Sequence, residues 1–367
     1  MSEMWRVMDT GLRSAAQNIA LDRALLEARQ AEEIPSTLRF SRCTPSVLLA
    51  YHQSAAQEID LDYCAAHKIA LQRRITGGDA VYCDGGQLGW ALYLHRRDIG
   101  AGDLQAMAKR LCHAAAAAVR ALGLDARYRA RHDIEVDGRR LGSAGGTFDG
   151  NALLYQGQLL VNLAAGDALR ALRTPAAIKS DQTPVAAQPD PAFAAARERV
   201  TDLKSALGAS PDVALIKSNL IAAFESEFGV EFHDGDLSLT EHARYRGALA
   251  EIDAPDWINL MRQPRSGVPV CAAVHKTAGG MLSASLVHDR AAHRIKQIWF
   301  AYDKAVKPQR LMMDLEAALR DTAVARLEQN VRGFFAGRAV EMSAVTPGDF
   351  VAVVRRALKL PLVAQNP

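Results

Sequence analysis

The sequence predicts an α+β protein in two parts, a large mixed sheet with flanking helices over residues 1–262 and a small C-terminal α/β accessory domain over 263–367. Three observations carry that expectation. A chain of 367 residues exceeds one ordinary core. Helical and alternating segments succeed one another through the first part, as a sheet covered by helices requires. The segment DWINLMRQPRSG then places proline and glycine at 262–267, a boundary after which strands come first and helices last.

The elements follow in order. SAAQNIALDRALLEARQA (14–31) has helical apolar spacing with Ser14 available as an N-cap. TLRFSRCTPSVLLAYHQ is split by Pro45 into two short strands, and IDLDYCAAHKI after it reads as a helix. LQRRITGGDAVYCDGGQLGWALYLH (71–95) reads as strand, tight loop and strand. DLQAMAKRLCHAAAAAVRAL (103–122) is an alanine-rich helix that opens on an aspartate suited to the positive helix N-terminus. The segment from 126 to 164 alternates over two runs broken at Asp137-Gly138, a favoured hairpin turn. Residues 173–200 hold four prolines and little periodicity, which predicts a mobile loop acting as lid or linker. Helical patterns resume in PDVALIKSNLIAAFESEF and LTEHARYRGALAEI. Alternating strands joined by a Gly-Gly turn open the C-terminal part, and helices near 308–335 and 347–359 close it.

Composition narrows the function. A net charge of +3 without a lysine-arginine run offers no phosphate-neutralising surface, so nucleic acid is not an expected partner. The start MSEMWRVMDTGLR lacks an apolar signal core and no stretch approaches 18 uninterrupted apolar residues, so neither secretion nor membrane insertion is expected and the cytoplasm is the default location. Five scattered cysteines without a CxxC pair predict reduced thiols rather than a disulfide framework or zinc site. The ten histidines show no HxxxH or HExxH spacing, and Trp90 reads as core.

The loop RRITGGDAVYCDGG (73–86) sets two arginines and a glycine pair between strands. Glycines let backbone N–H groups approach an anion, and a guanidinium supplies a permanent forked charge. On pattern alone, a tight hairpin with solvated arginines is at least as good a reading. The loop, however, resembles the signature of the lipoate-protein ligase and octanoyltransferase family, and other blocks align in the family's order. QNIALDRALL (17–26) is similar to its first-helix motif and PSVLLAYHQ (45–53) to the strand before the arginines. HDIEVDGRRLGSAGGT (132–147) is similar to the hairpin that carries its lysine, and ALLYQGQLLV (152–161) to the strand after it. ERVTDLKSAL (198–207) continues the resemblance more weakly.

The resemblance implies a class II biotin/lipoyl-synthetase-like fold and a two-step reaction: lipoate and Mg-ATP give a lipoyl-adenylate, and the acyl group passes to a lysine of a lipoyl-carrier protein. The carrier would be glycine-cleavage H-like or 2-oxoacid dehydrogenase E2-like. An apolar tunnel would hold the acyl chain at about 0.8 kcal/mol per buried methylene. Arg74, Thr76, Gly77, Gly78, Asp79, Ala80, Cys83 and Gln156 would line the acyl and adenylate site. Asp133 would face magnesium or the adenylate, and Lys179 would touch phosphate from the 173–200 loop folded over the adenylate. Three positions depart from the family pattern. Asp79 stands at its third glycine, Cys83 at its histidine, and Arg140, by an ungapped match, at the lysine that contacts the acyl carbonyl and phosphate, which makes Arg140 the candidate catalytic residue. Arg139 takes that place with a one-residue shift. The cysteine-dependent octanoyltransferase variant needs a thiol beside the lysine, and no cysteine occurs between 113 and 270. Two alternatives stand beside the ligase: a non-adenylating paralogue that binds a lipoylated carrier or acyl ligand, and a ligase for another carboxylic acid.

Overall fold

The computed structural model describes residues 4–51, 55–77, 79–100, 104–129, 133–172, 198–259, 270–302, 306–308, 311–342 and 345–359. Gly78, Lys179, most of the 173–200 loop and the 262–267 boundary lie outside them. The chain divides into two compact units, Met1–Leu172 with Val200–Gln263, and Arg173–Arg199 with Pro264–Pro367.

The first unit is built on an eight-stranded mixed sheet in the order β11-β1-β2-β6-β10-β9-β8-β7. Its strands are β1 (Met4–Arg13), β2 (Thr37–Cys43), β6 (Gln87–His95), β7 (Ala126–Arg129), β8 (Asp133–Val136), β9 (Arg139–Asp149), β10 (Ala152–Leu160) and β11 (Glu231–Asp234). A separate small sheet, β4-β3-β5, consists of β3 (Ser46–Leu49), β4 (Ala70–Arg73) and β5 (Val81–Cys83). Period-2 alternation sorts the central strands onto two faces. Leu88, Trp90, Leu92 and Leu94 of β6, with Leu153, Tyr155 and Leu159 of β10, share a core with α2 (Leu104–Arg120) and α3 (Val213–Phe228). Ala91 and Tyr93, with Ala152 and Leu154, face the opposite way and pack on α1 (Ala15–Gln30). Helix α1 starts where the sequence places it. Ser14 accepts from the Gln17 backbone while the Gln17 side chain returns to the Ser14 backbone, a capping box. Its Ala16, Ile19 and Ala20 pack on Ala248 and Ile252 of α4 (Leu239–Ile252).

A large ring fills one gap in this sheet. Gly157 of β10 pairs with Trp90, and a Cβ built at Gly157 would lie 2.4 Å from the Trp90 ring. Gly157→Ala must therefore displace a fully buried indole, and urea denaturation is expected to show a loss of about 1–3 kcal/mol with an unchanged slope.

The second unit carries its own core. Strands β12 (Val270–Lys276), β13 (Met281–Asp289) and β14 (Arg294–Tyr302) form an antiparallel sheet completed by the two-residue strand Thr322–Ala323. Leu282, Leu286, Ile298 and Phe300 bury against α5 (Leu311–Leu319), α6 (Leu327–Phe335) and α7 (Pro347–Ala357).

Candidate functional site

The conspicuous loop joins β4 to β5, and its two arginines act on the protein itself. Arg74 is buried and its guanidinium fans over the loop. Nε donates to Thr76 Oγ1 at 3.1 Å, Nη1 to the Leu48 carbonyl at 3.1 Å, and Nη2 to the carbonyls of Gly77 and Asp79 at 2.9 and 2.6 Å. Burial lowers its pKa to about 10, opposed by the nearby Asp79 and Cys83. Arg73 is fully buried and donates to the carbonyls of Ala50, Tyr51, Trp257 and Ile258. Both side chains shape the loop rather than project from it. Gln156 of β10 ties the loop to the main sheet, its Nε2 donating to Thr76 Oγ1 at 3.1 Å. Gly77 is exposed, with open space where a side chain would stand. Asp79 and Ala80 are half-buried on the same loop.

Arg140 lies on β9, opposite Glu135 of β8. Its Nη2 donates to Asp133 Oδ2 at 3.2 Å, while Nε lies 3.0 Å from Oδ1 at an angle that makes an ion pair without a hydrogen bond. The Arg140 side chain is 42% exposed and the Asp133 side chain 6%, so a nearly buried carboxylate holds the base of a guanidinium that remains open to solvent. The Arg140 carbonyl also accepts from the Thr201 backbone at 2.9 Å. Among the described residues no cluster of three or more His, Cys, Asp or Glu side chains is arranged to hold a metal. Asp133 is clasped by Arg140 and, among the described residues, belongs to no such cluster.

Cys83 sits at the end of β5, buried, with its sulfur 3.7 Å from the Ser46 carbonyl. It shares a hydrogen bond with Cys43, whose own sulfur lies 3.8 Å from Ser46 Oγ. That bond and burial push the Cys83 thiol well above the usual range, while the same bond pulls Cys43 below it. A buried thiol with a raised pKa is a packing group, not an activated nucleophile. Cys112 lies on the α2 side of the sheet, 3.3 Å from the Tyr155 hydroxyl, and burial pushes its pKa up to about 11.

Alternation and register place a polar row on the loop-facing side of the main sheet. Ser41, Gly89, Gln158, Ser143 and Asp133 are cross-strand neighbours on β2, β6, β10, β9 and β8. Their chain neighbours Phe40, Leu88, Leu159, Ala144 and Ile134 point into the core on the other side. Gln87 shares this side two residues before Gly89. It is 4% exposed, and among the described residues neither its amide oxygen nor its nitrogen has a partner. An unpaired buried polar group costs about 1–3 kcal/mol. Of this row the sequence singled out Asp133 alone; the trace of the rest was the YQGQL alternation, which sets Gln156 and Gln158 on one face.

The family model for the lipoyl protein ligase A/B catalytic domain matches residues 14–225, and the chain belongs to that family. Among its relatives, the octanoyltransferase LipM of Moorella thermoacetica is 28% identical over 277 residues, 70% of this chain and 98% of the relative. The lipoate-protein ligase A subunit 1 of Thermoplasma acidophilum is 28% identical over 239 residues, 62% of this chain and 86% of the relative. In fold, the chain matches a lipoate-protein ligase A bound with ATP at a TM-score of 0.60 and 24% identity, over 71% of this chain and all of the other. The LipL1 of P. falciparum in complex with lipoate matches at a TM-score of 0.54 and 16% identity, over 96% of this chain and 99% of the other. The expected α+β fold with its large mixed sheet and flanking helices is thereby shown, and the chain is an enzyme of the lipoate ligase and octanoyltransferase family. No helix among the described residues is long and apolar enough to cross a membrane.

Proposed function

We propose that the chain is an acyl-adenylate-forming protein ligase that joins lipoate or a related carboxylic acid to a lysine of a lipoyl-domain carrier, H-like or E2-like, in the cytoplasm. The reading rests on Arg140 of β9, held by Asp133 and open to solvent, together with the lack of any cysteine between 113 and 270. A thioester route needs a nucleophilic sulfur next to the cation. Cys83 and Cys112 are buried with raised pKa values, and Cys112 lies across the sheet.

In the first step a carboxylate oxygen of the acid attacks the α-phosphorus of ATP and pyrophosphate leaves. In the second, the lysine amine attacks the acyl carbonyl, the C–O bond to AMP breaks, the amide C–N bond forms and the nitrogen loses a proton. Arg140 contributes charge to both steps, facing phosphate first and the developing oxyanion next. A guanidinium is a permanent cation and no proton shuttle, so that proton passes to another base. Asp133 fixes its orientation. Arg74 and Gln156, through Thr76, hold the loop so that the exposed backbone at Gly77 can approach an anionic ligand. The second unit is proposed as an accessory domain.

A second reading is favoured by the match to LipM over nearly all of that relative's length: direct octanoyl transfer without ATP. Mass spectrometry of an apo lipoyl domain separates the two. The ligase reading expects a lysine-linked mass gain with ATP and free lipoate or octanoate, and none from an octanoyl thioester alone. Gain from the thioester without ATP would replace it with the transferase.

A further inference from the structure

We propose that Cys43 and Cys83 form a reversible redox pair, closing a disulfide between the main sheet and the small sheet when a peroxide reaches them. Cys43 is the last residue of β2 and Cys83 the last of β5. Antiparallel register sets Cys83 opposite Ser46, and only Thr44 and Pro45 separate Ser46 from Cys43. Both sulfurs converge on that serine, Cys43 at 3.8 Å from its Oγ and Cys83 at 3.7 Å from its carbonyl. They also hydrogen-bond to each other. Both thiols are free, and with Ala15 they form a small buried cluster of their own. The acyl steps proposed above use neither sulfur.

The two thiols are unlike, as an attacking and a resolving sulfur need to be. Hydrogen bonding from Cys83 foremost, then from Ser46 and Asn18, with the Arg39 charge, holds the Cys43 thiol below its ordinary range against burial. Cys43 is therefore the sulfur that ionises more readily, and the thiolate is the form that attacks a peroxide. The pair is 9% and 6% exposed, so the oxidant is a small uncharged one such as hydrogen peroxide. The Cys43 thiolate takes one peroxide oxygen and the O–O bond breaks. Cys43 becomes a sulfenic acid, and the departing hydroxide takes up the proton that the thiol released. The Cys83 sulfur then attacks the sulfenic sulfur; the S–S bond forms, the S–O bond breaks, and the Cys83 proton leaves with the hydroxyl as water. Two thiols lose two electrons and one peroxide becomes two waters. A dithiol reductant reopens the bond by exchange. Closed, the bond spans residues 43–83, a segment that includes β3, β4 and the Arg74-held loop. A cross-link over such a segment restricts the unfolded chain and so raises stability.

Treating the full chain with hydrogen peroxide, blocking the remaining thiols and mapping the peptides by mass spectrometry tests this. Of the five free thiols, Cys43 and Cys83 are expected to be lost together and to appear as one linked peptide. The urea midpoint should rise with the link, and dithiothreitol should restore both thiols and the original midpoint. Cys83→Ala removes the resolving sulfur and is expected to halt at a Cys43 sulfenic acid that dimedone captures. Cys43→Ala is expected to leave Cys83 unmodified, and Cys64→Ser to form the link as wild type does. If either alanine variant does not fold, serine at the same position carries the comparison. No linked peptide in folded protein, a link that forms only in urea, or thiols that go singly to sulfinic acid would overturn the proposal.

Discussion

Arg140→Ala is expected to slow ATP-dependent acylation of the carrier lysine by roughly 10²–10³-fold, the scale of losing one preorganised charge from a transition state. The fold should survive with a modest loss, because the Arg140 side chain is 42% exposed. That loss, about 1–3 kcal/mol, comes from leaving the buried Asp133 carboxylate without its main cation. Arg140→Lys separates charge from geometry. A lysine keeps the positive charge and loses the fork that meets both Asp133 oxygens. If charge is what matters, the lysine variant should recover most of the rate, measured by mass gain of the carrier under single-turnover conditions. Full activity in the alanine variant would move the catalytic cation elsewhere, with Arg139 the first candidate.

Arg74→Met should act mainly through stability. The guanidinium supplies the loop's internal scaffolding, donating to Thr76 Oγ1 and to the carbonyls of Leu48, Gly77 and Asp79. Removing it leaves those acceptors without that donor in a site where Arg74 is only 7% exposed. A loss of about 3–5 kcal/mol in urea denaturation is expected. Arg74→Lys should rescue little, since an ammonium has no planar fork to span four acceptors. A ligand-contact role without a structural one predicts the opposite pattern, a raised KM in a protein of normal stability.

These two arginines show how far the sequence could be read. Their proximity to glycines was visible, and so was the family resemblance that marks the loop. What the guanidinium of Arg74 touches was not, because Leu48 belongs to another strand and carbonyls carry no sequence signature. The capping box of Ser14 and Gln17 was accessible because all its groups lie within one turn. The hairpin at Asp137-Gly138 was equally local, and both residues adopt the positive φ that its turn demands. Strand β11 was hidden, since EFHD has no alternation of its own and is held by parallel pairing to β1 from over 220 residues away. The expected helical stretch near 308–335 is two helices with the short strand Thr322–Ala323 between them, drawn out by pairing to β14. The polar row at Gln158 and Ser143 depends on register among five strands, which alternation within any one of them cannot supply.

The proposed chemistry has this chain activate its acid as an adenylate. ATP–pyrophosphate exchange on the purified protein, with lipoate and octanoate in turn and no carrier present, tests it most directly. Acid-dependent exchange is expected in wild type, and its loss in Arg140→Ala. Folded wild-type protein that exchanges with none of these acids, yet acylates a lipoyl domain from an octanoyl thioester, would contradict it.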